Sequence, residues 1–213
     1  MWMNRRGFNR ACAGALGGLA AFGLPATCKG LRSPQLIGHP LDSDPRENVR
    51  GYCAAFGPPS GLEGGGANHW IVPAEHTLTP LERRTLWSAL DAGAKVVYEL
   101  PAAWYRGEAG DGFLGERLGP PVPLALGGED GRTPYLRCCL GAQAWYIRHD
   151  SAGLALRPPD TVRILARQSD DVLAAEMTCG AGRVMVLGTR LGAPIGRGDR
   201  TAEVFLRAWF AAA

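Results

Sequence analysis

The spacing of apolar and polar residues outlines most of the elements of this chain. Trp70-Ile71-Val72 is a short apolar run of the kind that fills a buried parallel strand. Thr79-Pro80-Leu81-Glu82 reads as a helix start: Thr79 caps, Pro80 takes the first helical position where its missing N–H costs nothing, and Glu82 completes a capping box. Leu86, Trp87 and Leu90 then share one face, Gly93 stops the helix, and Lys95 to Leu100 forms the next strand. Strand, capped helix and strand predict a βαβ unit, whose right-handed crossover belongs in a mostly parallel sheet.

On either side the pattern is looser. Gln35-Leu36-Ile37 predicts a short strand, and the run from Gly51 to Phe56 reads as the first core strand, ended by Pro58 and Pro59. Pro101 to Pro123 shows little periodicity and reads as a long loop. Strand patterns return at Tyr135 to Leu140, Ala144 to Ile147, Leu154 to Leu156 and Val162 to Ala166, with Gly141 as a turn. Val172 to Glu176 and Arg183 to Leu187 flank Cys179-Gly180-Ala181-Gly182, which predicts a β-hairpin. Gly188 to Gly198 reads as a loop. Asp199 or Thr201 caps a final helix in which Val204, Phe205, Ala208 and Trp209 share a face.

Composition adds bounds rather than a function. With 213 residues at 46% hydrophobic, the chain can bury one good core, and 30 glycines with 16 prolines predict long loops. A net charge of +3 gives nucleic-acid binding no support. The run Asn4 to Arg10, with Arg5-Arg6 ahead of Phe8, resembles a twin-arginine export signal. This divides the chain into residues 1–26 as signal peptide, 27–48 as an extended entry segment and 49–213 as the folded domain. Outside the N-terminus no apolar run is long enough to span a membrane. The expected location is therefore periplasmic or secreted, with no membrane span once the signal is removed.

Export changes the reading of the cysteines. Cys28, Cys53, Cys138, Cys139 and Cys179 would remain, an odd number that allows at most two disulfides and one free thiol. No Cys/His spacing fits a metal ligand set, so no metal or other cofactor is expected.

Two stretches carry a likeness to a known family. Leu78 to Glu82 leading into Asp91-Ala92-Gly93-Ala94-Lys95-Val96-Val97, and Ala174 to Met177 running through Gly180-Ala181-Gly182 to Gly188, resemble the class I glutamine-amidotransferase-like superfamily. The likeness is to its non-catalytic branches in particular. It implies a flavodoxin-like α/β three-layer sandwich with a mostly parallel sheet, a C-terminal β-hairpin and a closing helix. It also implies an exported, non-catalytic binding or assembly module in the periplasm, working with a protein partner or as a homo-oligomer.

Two alternatives stand beside that reading. Cys139-Leu140-Gly141-Ala142-Gln143 is similar to the cysteine elbow of active amidotransferases, which would make Cys139 (or, as a lesser candidate, Cys53) the nucleophile of a hydrolase or amidotransferase. Such an elbow must open a helix and find a histidine and a carboxylate. The other alternative is a small-ligand or sugar-binding protein. Its candidate ligand contacts are Trp104 and Tyr105 in the aromatic loop that ends near Phe113, with Glu75, His76 and Arg190. Glu75, His76 and Glu99 also lie at neighbouring strand ends, where two carboxylates and a histidine could do acid–base work or hold a metal. Arg190, Arg197 and Arg200 could form an anion-binding lip near the last helix.

Overall fold

The computed structural model describes residues 33–38, 47–59, 68–101, 113–114, 119–124, 135–148 and 153–212. The chain divides into two units, Met1–Leu31 and Arg32–Ala213, and every described residue belongs to the second. The expected signal peptide (1–26) and most of the expected entry segment (27–48) lie outside the described residues.

The elements run β1 (Gln35–Leu36), α1 (Glu47–Phe56), β2 (His69–Val72), α2 (Pro80–Asp91), β3 (Lys95–Glu99), β4 (Gly119–Leu124), β5 (Tyr135–Leu140) and β6 (Gln143–Arg148). They continue as β7 (Gly153–Arg157), β8 (Arg163–Gln168), β9 (Asp171–Cys179), β10 (Gly182–Leu187), α3 (Gly192–Gly196) and α4 (Arg200–Ala211). Eight strands form one sheet in the order β1-β2-β3-β10-β9-β8-β5-β6, and β4 pairs with β7 apart from it.

The capped helix forms as its sequence requires. The Thr79 hydroxyl accepts from the Glu82 N–H, the Glu82 carboxylate accepts from the Thr79 N–H, and Pro80 opens the helix. Gly93 takes φ +94°, where a side chain would be strained. Strands β2 and β3 are parallel, with Trp70 opposite Val96 and Val72 opposite Tyr98.

The sheet as a whole corrects the expected fold class. β1, β2, β3 and β10 are mutually parallel, but β10–β9, β9–β8, β8–β5 and β5–β6 are all antiparallel. This is a mixed, largely antiparallel sheet and not a mostly parallel flavodoxin-like sandwich. The physical reason lies in the connections. β5–β6 and β9–β10 are joined by tight glycine turns, with φ +61° at Gly141 and +60° at Gly180, and such turns can only reverse the chain.

Three local readings also change, one being that helix α3 (Gly192–Gly196) interrupts the expected loop from Gly188 to Gly198. Gly51 to Phe56 lies in helix α1 and not in a strand. Asn48, Val49, Gly51, Tyr52 and Phe56 are its buried positions, a helical spacing. Part of the expected loop from Pro101 to Pro123 is strand β4, paired antiparallel with β7.

Apolar side chains pack on both faces of the sheet. On one face, Val97, Met185 and Leu187 meet Val49, Tyr52 and Phe56 of α1 and Phe205, Leu206 and Trp209 of α4. On the other, Val96, Tyr98, Val184 and Val186 meet Leu86 and Leu90 of α2 and Leu154 and Leu156 of β7. Alternation of side chains along β3 and β10 feeds both cores at once. The closing helix is capped by Asp199, whose carboxylate accepts from the Thr201 N–H at 2.8 Å. Its far end is held by Lys95 at the start of β3, whose Nζ donates to the carbonyls of Trp209 (3.4 Å), Phe210 (3.1 Å) and Ala212.

Candidate functional site

The parallel strands β2, β3 and β10 have their carboxyl ends on the same side of the sheet, and there Glu75 and Glu99 meet through Asn48. Glu99, the last residue of β3, is 1% exposed. Its Oε1 accepts from Tyr52 Oη at 2.6 Å and from the Leu191 N–H at 2.8 Å. Its Oε2 accepts from Asn48 Nδ2 at 2.6 Å and from the Ala74 N–H at 3.0 Å. A carboxylate offers about four acceptor sites, so this one is saturated.

Asn48 links the rest of the cluster. Its Nδ2 also donates to Glu75 Oε2 at 2.8 Å, while its Oδ1 accepts from the Ala193 N–H at 3.1 Å. Those three contacts, two donated by Nδ2 and one accepted by Oδ1, fix which end of the amide is which. Glu75 Oε1 lies 3.2 Å from Arg190 Nε. Helix α1 can bring Asn48 and Tyr52 here because its backbone touches α3. A Cβ on Gly51 would lie 1.8 Å from the Gly192 carbonyl oxygen, and one on Gly192 would lie 2.1 Å from the Asn48 carbonyl oxygen.

Burial, followed by the charge of Glu75, pushes the Glu99 carboxyl up to about 7, against the donors that favour its charged form. Burial and then Glu99 push the Tyr52 phenol up well above its ordinary range, so it stays a donor. A saturated and enclosed carboxylate has no free face to offer a substrate. The cluster instead ties β3, α1, α3 and the segment after β2 to one another.

The other candidates fall elsewhere. His76 does not join Glu99: the chain turns at Ala74 and Glu75, with the His76 N–H donating to the Pro73 carbonyl at 3.0 Å, and its Nε2 lies 3.0 Å from Glu82 Oε1 in the capping box of α2. Cys139 sits on β5 opposite Ala144, and Gly141 turns the chain directly into β6. It opens no helix, so the elbow geometry is absent. Cys138 faces the core, where burial and then Cys139 push its thiol up. Cys53 lies half-buried on α1, and Cys53, Cys138, Cys139 and Cys179 are free thiols. Trp104 and Tyr105 lie outside the described residues. Phe113 is core, with its ring centroid 5.3 Å from that of Trp87 and 5.0 Å from that of Tyr98. Arg197 pairs with Glu47 at 3.2 Å. Among the described residues no group of three or more His, Cys, Asp or Glu could hold a metal ion, and no helix is long and apolar enough to cross a membrane.

Asn48, Tyr52 and the Leu191 and Ala193 amides are the site members that sequence reasoning missed. The available signal was Val49, Tyr52 and Phe56 at helical spacing, which places Asn48 one residue before an apolar stripe.

No protein-family model and no curated protein matches the sequence. Solved structures do match in fold. The exo-β-1,4-mannosidase Op5Man5 from Opitutaceae bacterium strain TAV5 aligns over 96% of this chain and 38% of its own, at 15% identity and a TM-score of 0.54. The α-L-fucosidase isoenzyme 2 from Paenibacillus thiaminolyticus aligns over 83% of this chain and 32% of its own, at 13% identity and a TM-score of 0.52. The chain thus spans about a third of the length of each, and the likeness is one of fold. These matches give no support to the expected class I glutamine-amidotransferase-like kinship. Together with the antiparallel half of the sheet they overturn it. The stretches that carried that likeness encode a capped helix and a glycine hairpin, local devices that say nothing of strand order.

Proposed function

We propose that this chain is a non-catalytic carbohydrate-binding domain that acts outside the cytoplasm. The observation that carries the reading is the fold alignment of almost the whole chain with a part of a mannosidase. A segment shared at this scale, and short of a complete glycosidase, suits an accessory domain. The enclosure of Glu99 supports the non-catalytic half of the reading, since its carboxyl is 1% exposed and ringed by four protein donors, out of a substrate's reach. The twin-arginine-like run at Arg5-Arg6 supports the location.

The test is a binding screen of the purified full chain against mannan, galactan, fucosylated oligosaccharides and acidic polysaccharides, run beside hydrolysis assays on aryl glycosides and glutamine. Retention by at least one polysaccharide without turnover is expected. Turnover abolished by Cys139→Ser, or no retention by any glycan, would sink the reading. Location is tested by fusing residues 1–30 to a reporter that must fold before export. Arg5→Lys with Arg6→Lys should then block its appearance in the periplasm.

A further inference from the structure

The sheet end farthest from the Glu99 cluster carries an exposed face that neither core uses. On β5 and β6, Leu136, Cys138, Trp145 and Ile147 turn inward, which sends Tyr135, Arg137, Tyr146 and Arg148 outward. The ladder sets Arg137 opposite Tyr146 on one side and opposite Arg167 of β8 on the other, with Tyr135 opposite Arg148 in the next row. Arg137, Tyr146 and Arg167 therefore form one line across three adjacent strands, a platform about 10 Å wide. Tyr146 is 60% exposed and Tyr135 47%.

Two features of this line call for an anion. Like charges directly opposed on neighbouring strands are destabilising, yet Arg137 and Arg167 stand side by side. Among the described residues Arg137 has no ion-pair partner, and the Arg167 guanidinium donates to the main-chain carbonyl of Asp170 at 3.1 Å and to no carboxylate. The carboxylate of Glu176 on β9 is engaged by Arg163 at 3.6 Å and by Trp209 Nε1 at 2.6 Å.

Resting on the carbohydrate reading above, we propose that the β5–β6–β8 face binds an acidic polysaccharide. Arg137 and Arg167 would grip a uronate carboxylate, while Tyr146 would stack on the apolar face of a sugar ring. Guanidinium suits a carboxylate because its planar fork gives two parallel hydrogen bonds. The flat exposed phenol beside it supplies the apolar surface that a pyranose ring covers with its C–H groups. Against a neutral glycan, no described carboxylate would compensate the two guanidinium groups. A nucleic acid would also supply anions, but the chain's net charge of +3 lacks the basic excess that such binding uses.

The experiment is affinity electrophoresis of the full chain in gels holding polygalacturonate, neutral mannan or single-stranded DNA, at low and high salt. Retardation by polygalacturonate is expected, weakened at high salt. Tyr146→Ala and the double variant Arg137→Ala/Arg167→Ala should each bind it about tenfold more weakly with the fold retained, all three side chains being exposed, and the double variant, which relieves the opposed charges, should melt no lower than the wild type. Retardation by mannan that the variants leave intact would overturn this face while leaving the carbohydrate reading standing. Equal retardation by DNA would overturn the sugar assignment, and retention by no glycan would overturn both.

Discussion

Glu75 and Glu99 share a single amide: Nδ2 of Asn48 donates to Glu75 Oε2 at 2.8 Å and to Glu99 Oε2 at 2.6 Å. Two carboxylates are tolerated at this buried edge because a neutral donor stands between them and Arg190 holds the outer one. Asn48→Asp keeps the shape but replaces the donor with an acceptor and adds a third carboxylate to the cluster. It is expected to cost on the order of 3 kcal/mol, read as a lower urea midpoint with an unchanged slope. Wild-type stability in this variant would show that the amide does not hold the pair.

Acidity should act on the same centre. The Glu99 carboxyl is raised from 4.5 to about 7, so folding takes up a proton between those values. This contribution is fully present below pH 4.5 and is lost as pH rises through about 7. The loss is on the order of 3 kcal/mol at most. Urea midpoints measured from pH 5 to pH 8 should fall for the wild type and flatten in Glu99→Gln. Gln cannot satisfy four donors, so that variant should also be less stable throughout.

Glycine matters at Gly51 for space and at Gly141 for backbone angle. Gly51→Ala puts a methyl 1.8 Å from the Gly192 carbonyl oxygen and must part α1 from α3. A loss of about 3 kcal/mol or more is expected, with the Glu99 cluster dispersed. Gly141→Ala meets open space but keeps φ +61°, and should cost about 1 kcal/mol. Thermal melting of the two variants gives the comparison, and equal losses would contradict it.

Lys95 joins the start of β3 to the last turn of α4 through the carbonyls of Trp209 and Phe210. Lys95→Met keeps the stem and removes the ammonium. It should lower stability by about 1–2 kcal/mol and speed amide hydrogen exchange in Arg207 to Ala212 before the rest of the chain. Uniform exchange would count against this anchor.

Which features could be read in advance follows from how far each signal reaches. The capping box at Thr79 and Glu82, the turn at Gly180 and the cap at Asp199 each involve residues within a few positions, and each can be read from its own segment. Glu99 is legible as a carboxylate at a strand end. Its partners are not, because Asn48 and Tyr52 arrive from a helix far back in the chain. That helix was hidden by Gly51, which suggests a strand or turn until its contact with Gly192 is seen. Strand order lies beyond any local pattern. The pairing of β3 with β10 rather than with the next strand in sequence depends on everything folded between them.

That last pairing has a consequence for synthesis. β3 has β2 on one side, but its other edge is closed only when Val186 arrives opposite Tyr98, close to the end of the chain. While the ribosome is still making the middle of the protein, β3 presents an apolar, hydrogen-bond-hungry edge that other chains could join. The antiparallel strands β5 to β9 can pair with near neighbours as they emerge, so they should assemble first and leave the parallel half waiting. Chains cut short before β10 should therefore aggregate in the cytoplasm, and holdase chaperones should find their binding site on β3.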